Sequence, residues 1–215
     1  MGARLLLGLL LLVPLAADAQ RLDEVPLEDI LQVLVLDREI FAIDAVGGGQ
    51  LALRLEIGEQ VLFARTRGRV GVVLTDRRVL AVTNRSAAWQ QERYRAAEVP
   101  QTEALLGDRV ALVTTSQRVL GFDGGSGNLI AADIGPREVL TASAVGGNVV
   151  AVVTSRRALG LSPRAGGFFP IAIQLGERIE SVTADSNFAT VVTSRRILVF
   201  QAPSGAWVER RLNLD

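Results

Sequence analysis

The chain has 215 residues, 49% of them hydrophobic, with 23 cationic and 23 anionic side chains and no His or Cys; every cation is Arg, because there is no Lys. That inventory excludes a Ser-His-Asp triad, imidazole and thiolate metal sites, disulfides, a Schiff-base lysine and a P-loop. A net charge of zero gives neither nucleic acid nor an anionic membrane a field to follow, so neither is an expected partner.

Residues 1–19 read MGARLLLGLLLLVPLAADA, with Arg4, an apolar run from Leu5 to Leu15 and the small residues Ala17 and Ala19 around Asp18. This is the charged, apolar and small-residue pattern of a secretory signal peptide, and it predicts cleavage after Ala19. The run, broken by Pro14, is shorter than the roughly 20 residues a membrane span needs, so no span is expected. Arg in place of Lys, with abundant Ala, Val and Leu, points to a GC-rich bacterium and hence to a periplasmic or secreted product. A secreted eukaryotic protein of this size would more often carry disulfides.

From residue 20 onward one unit repeats. Val73-Leu74-Thr75-Asp76-Arg77-Arg78-Val79-Leu80, Thr114-Thr115-Ser116-Gln117-Arg118-Val119-Leu120, Val153-Thr154-Ser155-Arg156-Arg157-Ala158-Leu159 and Val192-Thr193-Ser194-Arg195-Arg196-Ile197-Leu198 share a pattern. Their anchor threonines, Thr75, Thr115, Thr154 and Thr193, are 40, 39 and 39 residues apart. A weaker first copy at Leu36-Asp37-Arg38-Glu39-Ile40 keeps the turn without the Thr. Two further columns hold the same register. Gln50, Trp89, Leu129, Phe168 and Trp207 each follow a small-residue loop, and Gly58-Glu59-Gln60-Val61, Pro136-Arg137-Glu138-Val139 and Gly176-Glu177-Arg178-Ile179 repeat.

Each unit reads as four short strands. An apolar run such as Val149–Val153 predicts a strand buried on both faces. A tight turn leads to a second, such as Val79–Val82, and the Gly-rich loop opens a third, such as Leu129–Ile134. A fourth follows at Val139–Ala144 or Ile179–Ala184. The segment Trp89–Ala97 is the nearest approach to helical periodicity and falls in the third-strand column.

A four-stranded unit of about 40 residues repeated around an axis predicts an all-β five-bladed β-propeller. Five units of 39 residues account for all but one of the 196 residues that follow residue 19, so residues 20–215 are expected to form a single domain. The last unit stops after its third strand, and Leu22–Leu27 is expected to supply the closing strand, removing an open edge. The succession of apolar strand, small-residue loop and aromatic in Leu198–Trp207 resembles kelch and quinoprotein-type blades. The double Gly and Tyr of kelch blades, the Trp-Asp of WD40 repeats and the ligands of a quinone site do not stand at the matching positions, so the resemblance implies the fold and no particular activity, and no cofactor is expected.

Two rings of residues are candidate sites. The turns between first and second strands carry Arg38, Arg77, Arg78, Arg118, Arg156, Arg157, Arg195 and Arg196, guanidinium groups able to hold a carboxylate, phosphate or sulfate bidentately. A plainer reading has them solvated or paired with Asp37, Glu39 and Asp76. The turns before each first strand carry Asp29, Arg69, Asp108, Arg109, Asn148, Asp185 and Asn187, at the end where propellers commonly bind ligands. Their mixed polarity suits a sugar or short peptide, although these are also ordinary turn residues. The periodic Trp89, Phe168 and Trp207 are read as packing between blades, and Asp123–Asn128 as a turn that lacks the bidentate acid of a calcium loop.

The expected function is non-catalytic: a monomeric binding or scaffolding module for a protein, glycan or anionic ligand. A carboxylate-dependent glycosidase or lectin at the polar mouth is one alternative, since an Asp/Glu pair is the one well-precedented enzymatic route these side chains leave. A subunit of an envelope complex is the other.

Overall fold

A computed structural model of the protein describes residues 29–163 and 166–212. The expected signal peptide and the expected closing strand, residues 22–27, lie outside the described residues. Within them the chain is strands and turns, nineteen strands in five antiparallel sheets whose members follow one another in the chain. These sheets are the blades of a five-bladed β-propeller.

The first blade holds β1 (Leu31–Leu36), β2 (Glu39–Asp44) and β3 (Gln50–Arg54). The second holds β4 (Val61–Arg67), β5 (Val70–Thr75), β6 (Arg78–Thr83) and β7 (Gln90–Arg93). The third is built from β8 (Leu105–Leu106), β9 (Val110–Thr114), β10 (Arg118–Asp123) and β11 (Asn128–Asp133). The fourth comprises β12 (Leu140–Val145), β13 (Val150–Thr154), β14 (Arg157–Leu161) and β15 (Phe168–Ala172), and the fifth β16 (Ile179–Ala184), β17 (Phe188–Thr193), β18 (Arg196–Gln201) and β19 (Ala206–Arg211). We call the four positions A to D in chain order; β1, β2 and β3 align with β5, β6 and β7 and hold positions B, C and D of the first blade. The A strands β12 and β16 run side by side, which places the A position nearest the axis.

Blade and sequence unit are out of phase by one strand. The strand that closes each unit pairs with the next unit, so that β4 joins β5 and β16 joins β17. The fifth blade therefore has all four strands from contiguous chain, and the three-stranded blade is the first. Trp89–Ala97, the closest approach to a helix, supplies strand β7.

Val-rich B and C strands form the core. β5, β6, β9, β10 and β13 are buried at every position, as runs covered by a neighbouring sheet on each face must be. β17 and β18 alternate between buried and half-buried instead, except that Phe188 at the start of β17 is exposed. Between blades, Val70, Val72 and Leu74 of the second pack against Ala111, Val113 and Phe122 of the third. The aromatic column packs there as expected: Trp89 donates its indole N–H to the Leu51 carbonyl at 3.3 Å, and Trp207 does the same to Phe169 at 2.8 Å. The small-residue loops are C–D turns and, outside the second blade, carry a glycine in the left-handed region, φ 66° at Gly48, 76° at Gly127 and 63° at Gly205. Asp123 is one of these turns' internal acceptors, taking the Gly125 amide at 2.7 Å and the Ser126 hydroxyl at 2.6 Å.

Candidate functional site

Antiparallel order puts the B–C turns and the D-to-A connections at one end of the propeller and the A–B and C–D turns at the other. The two rings expected from sequence occupy these opposite ends.

At the first end the arginines divide into two sets. Arg78, Arg118, Arg157 and Arg196 begin the C strands and point inward into a repeated clamp. In the fifth blade Arg196 donates from Nε to Glu177 Oε1 at 2.9 Å and from Nη2 to Oε2 at 3.1 Å, and Nη2 also reaches the Ala172 carbonyl of the preceding blade at 2.6 Å. Thr193 donates its hydroxyl to Glu177 Oε1 at 2.6 Å and accepts the amides of Arg195 and Arg196. The other Glu177 oxygen accepts the Gln174 amide at 2.7 Å. Glu59 with Arg78, Glu98 with Arg118 and Glu138 with Arg157 repeat the arrangement, their shortest ion-pair distances being 2.8, 2.8 and 2.9 Å.

Burial of Glu177 opposes its charge, but Arg196, Thr193 and the Gln174 amide more than offset this and hold its pKa down at about 2. Glu59, Glu98 and Glu138 are likewise held below the ordinary carboxylate value, against the same burial, by their Arg and Thr partners and a backbone amide. A charge buried with its partner and with its remaining lone pairs satisfied is stable in place. The guanidinium groups of Arg78, Arg118, Arg157 and Arg196 are thus committed to the fold and leave the expected ligand ring. The remaining members sit at the turn tips: Arg38 and Arg156 exposed, Arg77 on Glu56 at 3.2 Å and Arg195 on the Leu175 carbonyl at 3.3 Å. Sequence reasoning missed the role of the glutamate, yet it stands 19 or 20 residues ahead of its arginine in all four units.

At the second end the A–B turns are joined to one another by backbone hydrogen bonds. The amide of Ile30 donates to the Gly68 carbonyl at 3.0 Å, Arg69 to Asp108 at 2.9 Å, Arg109 to Gly147 at 2.9 Å and Asn148 to Ser186 at 2.7 Å. The Asp29 carboxylate adds a bond from the Gly68 amide at 2.6 Å, and Arg67 pairs with Asp108 at 3.3 Å. Turns this close leave no room for side chains: a Cβ on Gly146 would stand 1.7 Å from the Asp185 carbonyl oxygen. This ladder fixes Asp29, Arg69, Asp108, Arg109, Asn148 and Asn187 around one rim, with Asp185 exposed in the fifth turn.

Asn148 donates from its side-chain amide to Asn187 Oδ1 at 2.9 Å, locking the two amides together across neighbouring blades. They line a groove of about 250 Å³ with Arg109, Pro163, Ala202 and Pro203. Its polar groups are an arginine with no ion-pair partner among the described residues and two amides, which still offer a carbonyl acceptor on Asn148 and N–H donors on Asn187. Guanidinium and amide groups in such a set are hydrogen-bond donors and acceptors able to orient a polar ligand. Among the described residues no group of three or more acidic side chains is placed to hold a metal ion, and no helix is long and apolar enough to cross a membrane.

No family model matches the chain, and no curated protein does. Solved structures to which it is similar include human WBSCR16, at 12% identity over 80% of this chain and 59% of that one with a TM-score of 0.41. Hsv2 from Kluyveromyces lactis matches at 11% identity over 88% of this chain and 62% of that one with a TM-score of 0.39. For apo AztD from Citrobacter koseri the values are 13%, 85%, 60% and 0.39. The chain spans less than two thirds of the length of each of these three.

Proposed function

We propose that the protein is a non-catalytic binding or scaffolding module, exported behind residues 1–19 to the periplasm or the cell exterior, and that it holds its partner at the rim of A–B turns. The observation that carries this is the groove at Arg109, Asn148 and Asn187, whose polar groups are held in place by the hydrogen-bonded turn ladder. Fixing donors and acceptors in advance lowers the ordering cost of binding. Arg109 and the Asn187 amide suit a carboxylate or sugar hydroxyls, and Pro163 and Pro203 give apolar walls against which a short peptide or glycan would lie.

Peptide and glycan arrays probed with the purified protein test the reading. Binding to a defined array feature is expected to fall at least about tenfold for Asn148→Ala/Asn187→Ala and for Arg109→Ala, the loss of one or two polar contacts. Binding that survives all three substitutions would move the site elsewhere, and release of a cleaved product from the array would make the protein an enzyme.

A further inference from the structure

The D-to-A connections carry apolar side chains out into water. Two residues ahead of the clamp glutamates Glu59, Glu98, Glu138 and Glu177 stand Ile57, Ala96, Pro136 and Leu175, apolar in all four units. All four are exposed, Ile57 at 82% and Leu175 at 98%. Val99 and Val139, each directly after its glutamate, are 64% and 65% exposed. Turns that meet only water favour Gly, Pro, Asn, Asp or Ser, and one exposed Leu is unremarkable. Apolar residues recurring at one exposed place in successive blades form a surface feature.

These loops are held firmly. The Ile57 carbonyl accepts Arg77 Nη2 at 3.1 Å, the Ala96 carbonyl Gln117 Nε2 at 3.1 Å and the Leu175 carbonyl Arg195 Nη1 at 3.3 Å. The B–C turns hold the next segment: the hydroxyls of Ser116, Ser155 and Ser194 accept the amides of Val99, Val139 and Arg178 at 3.0, 3.2 and 3.1 Å. A surface fixed in this way pays little ordering cost when a partner arrives.

Charge divides this end of the propeller in two. Around the first three blades cations and anions are mixed: Arg77 and Arg93 lie on Glu56, Arg95 lies on Asp133, and Asp37, Glu39 and Asp76 are exposed. Around the fourth and fifth blades Arg137, Arg156, Arg178 and Arg195 are exposed, and among the described residues none of them has an ion-pair partner. The acids of those loops, Glu138 and Glu177, are inside the clamps with Arg157 and Arg196. Four open guanidinium groups therefore surround Val139 and Leu175.

We propose that this sector, the loops 134–139 and 173–178 with the B–C turns beside them, binds an acidic protein segment that carries aliphatic side chains. The arginines take its carboxylates, bidentately where geometry allows, and Val139 and Leu175 cover its apolar residues. An anionic bilayer would lie across the whole end and meet Asp37, Glu39 and Asp76 as well, whereas a peptide covers one sector alone. The surface faces away from the groove at Arg109, Asn148 and Asn187, and the proposal is independent of it.

A random peptide display library selected on the purified protein, followed by anisotropy titration of the enriched peptides in synthetic form, tests it. Enriched sequences should combine Asp or Glu with Leu, Ile or Val, and binding should weaken as salt rises. Affinity should fall at least about tenfold for Leu175→Asp and for Arg178→Glu/Arg195→Glu, in variants whose thermal melts match the parent's. Arg65→Glu/Arg85→Glu, an equal change of charge away from the sector, and Asn148→Ala/Asn187→Ala should bind as the parent does. A library that enriches no acidic peptide, binding that the sector variants leave intact, or an equal loss in Arg65→Glu/Arg85→Glu would overturn the proposal. Retention of the parent, but not of Leu175→Asp, on vesicles of phosphatidylcholine and phosphatidylglycerol would make the occupant a lipid surface and overturn it as well.

Discussion

Replacing Glu177 by Ala removes the centre of one clamp and leaves its other parts in place. Arg196 loses its bonds at 2.9 and 3.1 Å, the Thr193 hydroxyl loses one of its two acceptors, at 2.6 Å, and keeps the Arg196 carbonyl, and the Gln174 amide loses its acceptor at 2.7 Å. What remains for the guanidinium is the Ala172 carbonyl and Glu209, whose side chain is 48% exposed and therefore screened by water. A buried charge left without its main partner costs about 3–5 kcal/mol, a large share of the roughly 5–15 kcal/mol that holds a domain together. With a urea m-value of about 2–3 kcal/mol/M, the unfolding midpoint should fall by about 1–2 M. Removing both charges, as in Glu177→Met/Arg196→Met, should return the midpoint most of the way, since no uncompensated charge is then buried. A loss for Glu177→Ala below about 1 kcal/mol, or a double variant no better than the single one, would refute the assignment of these groups to a buried structural pair.

Three further outcomes follow from the same geometry. Glu177 has a folded-state pKa of about 2 against an ordinary 4.5, so the stability it contributes is present above the unfolded value and is lost as pH falls from about 4.5 towards about 2, by about 3 kcal/mol in all; urea titrations through that range should show the decline for the parent and a shallower one for Glu177→Gln, and a flat profile would contradict the clamp. The Tyr94 hydroxyl is buried with no hydrogen-bond partner among the described residues, and burial followed by the nearby Glu98 raises its pKa; Tyr94→Phe should be neutral or should stabilise by up to about 1 kcal/mol in a thermal melt, and a loss larger than that would mean the hydroxyl has a partner. Arg137 holds φ at 62° in a turn where Gly58 and Gly176 take 75° and 76°; relief of about 1–2 kcal/mol of strain, less about 0.5–1 for the freedom glycine adds to the unfolded chain, should leave Arg137→Gly more stable by roughly half a kcal/mol, and a clear loss in the same melt would show that the Arg137 side chain contributes more than its backbone costs.

The strand positions were legible because the repeat samples the same physics several times. One Val-rich run is ambiguous, but Val70–Thr75, Val110–Thr114 and Val150–Thr154 in one register leave little choice. The aromatic column was legible for the same reason, since a side chain required at every blade is required by packing. Pairing across the units was not legible: local order does not say whether the strand ending one unit pairs backward or forward, and it pairs forward. The inward half of the arginine ring, Arg78, Arg118, Arg157 and Arg196, turned on a similar point. A turn arginine looks solvated or free to bind until its acceptor is known, and Glu98 lies far enough ahead of Arg118 in sequence that only the bridge of Pro100 to Thr115, beyond the end of β9, and the pairing of β10 with β9 bring them together. The turn ladder left no mark beyond the small residues at Gly68, Gly107, Gly146 and Gly147, because backbone hydrogen bonds select conformation and not side-chain identity.

Four blades carry the Thr-Glu-Arg clamp, and in the first Leu36 and Glu39 stand where the others have Thr and Arg. Blades gain stability from their own interior and from their neighbours, so the unit without the clamp's Thr and Arg is the weakest link. Amide protons of β1 and β2 should exchange with solvent soonest among the B and C strands, and unravelling should run from there towards the third and fourth blades. The polar groove is built from residues of the third, fourth and fifth blades and from none of the first, so loosening of the first blade leaves every group of the proposed binding surface on blades that keep their clamps.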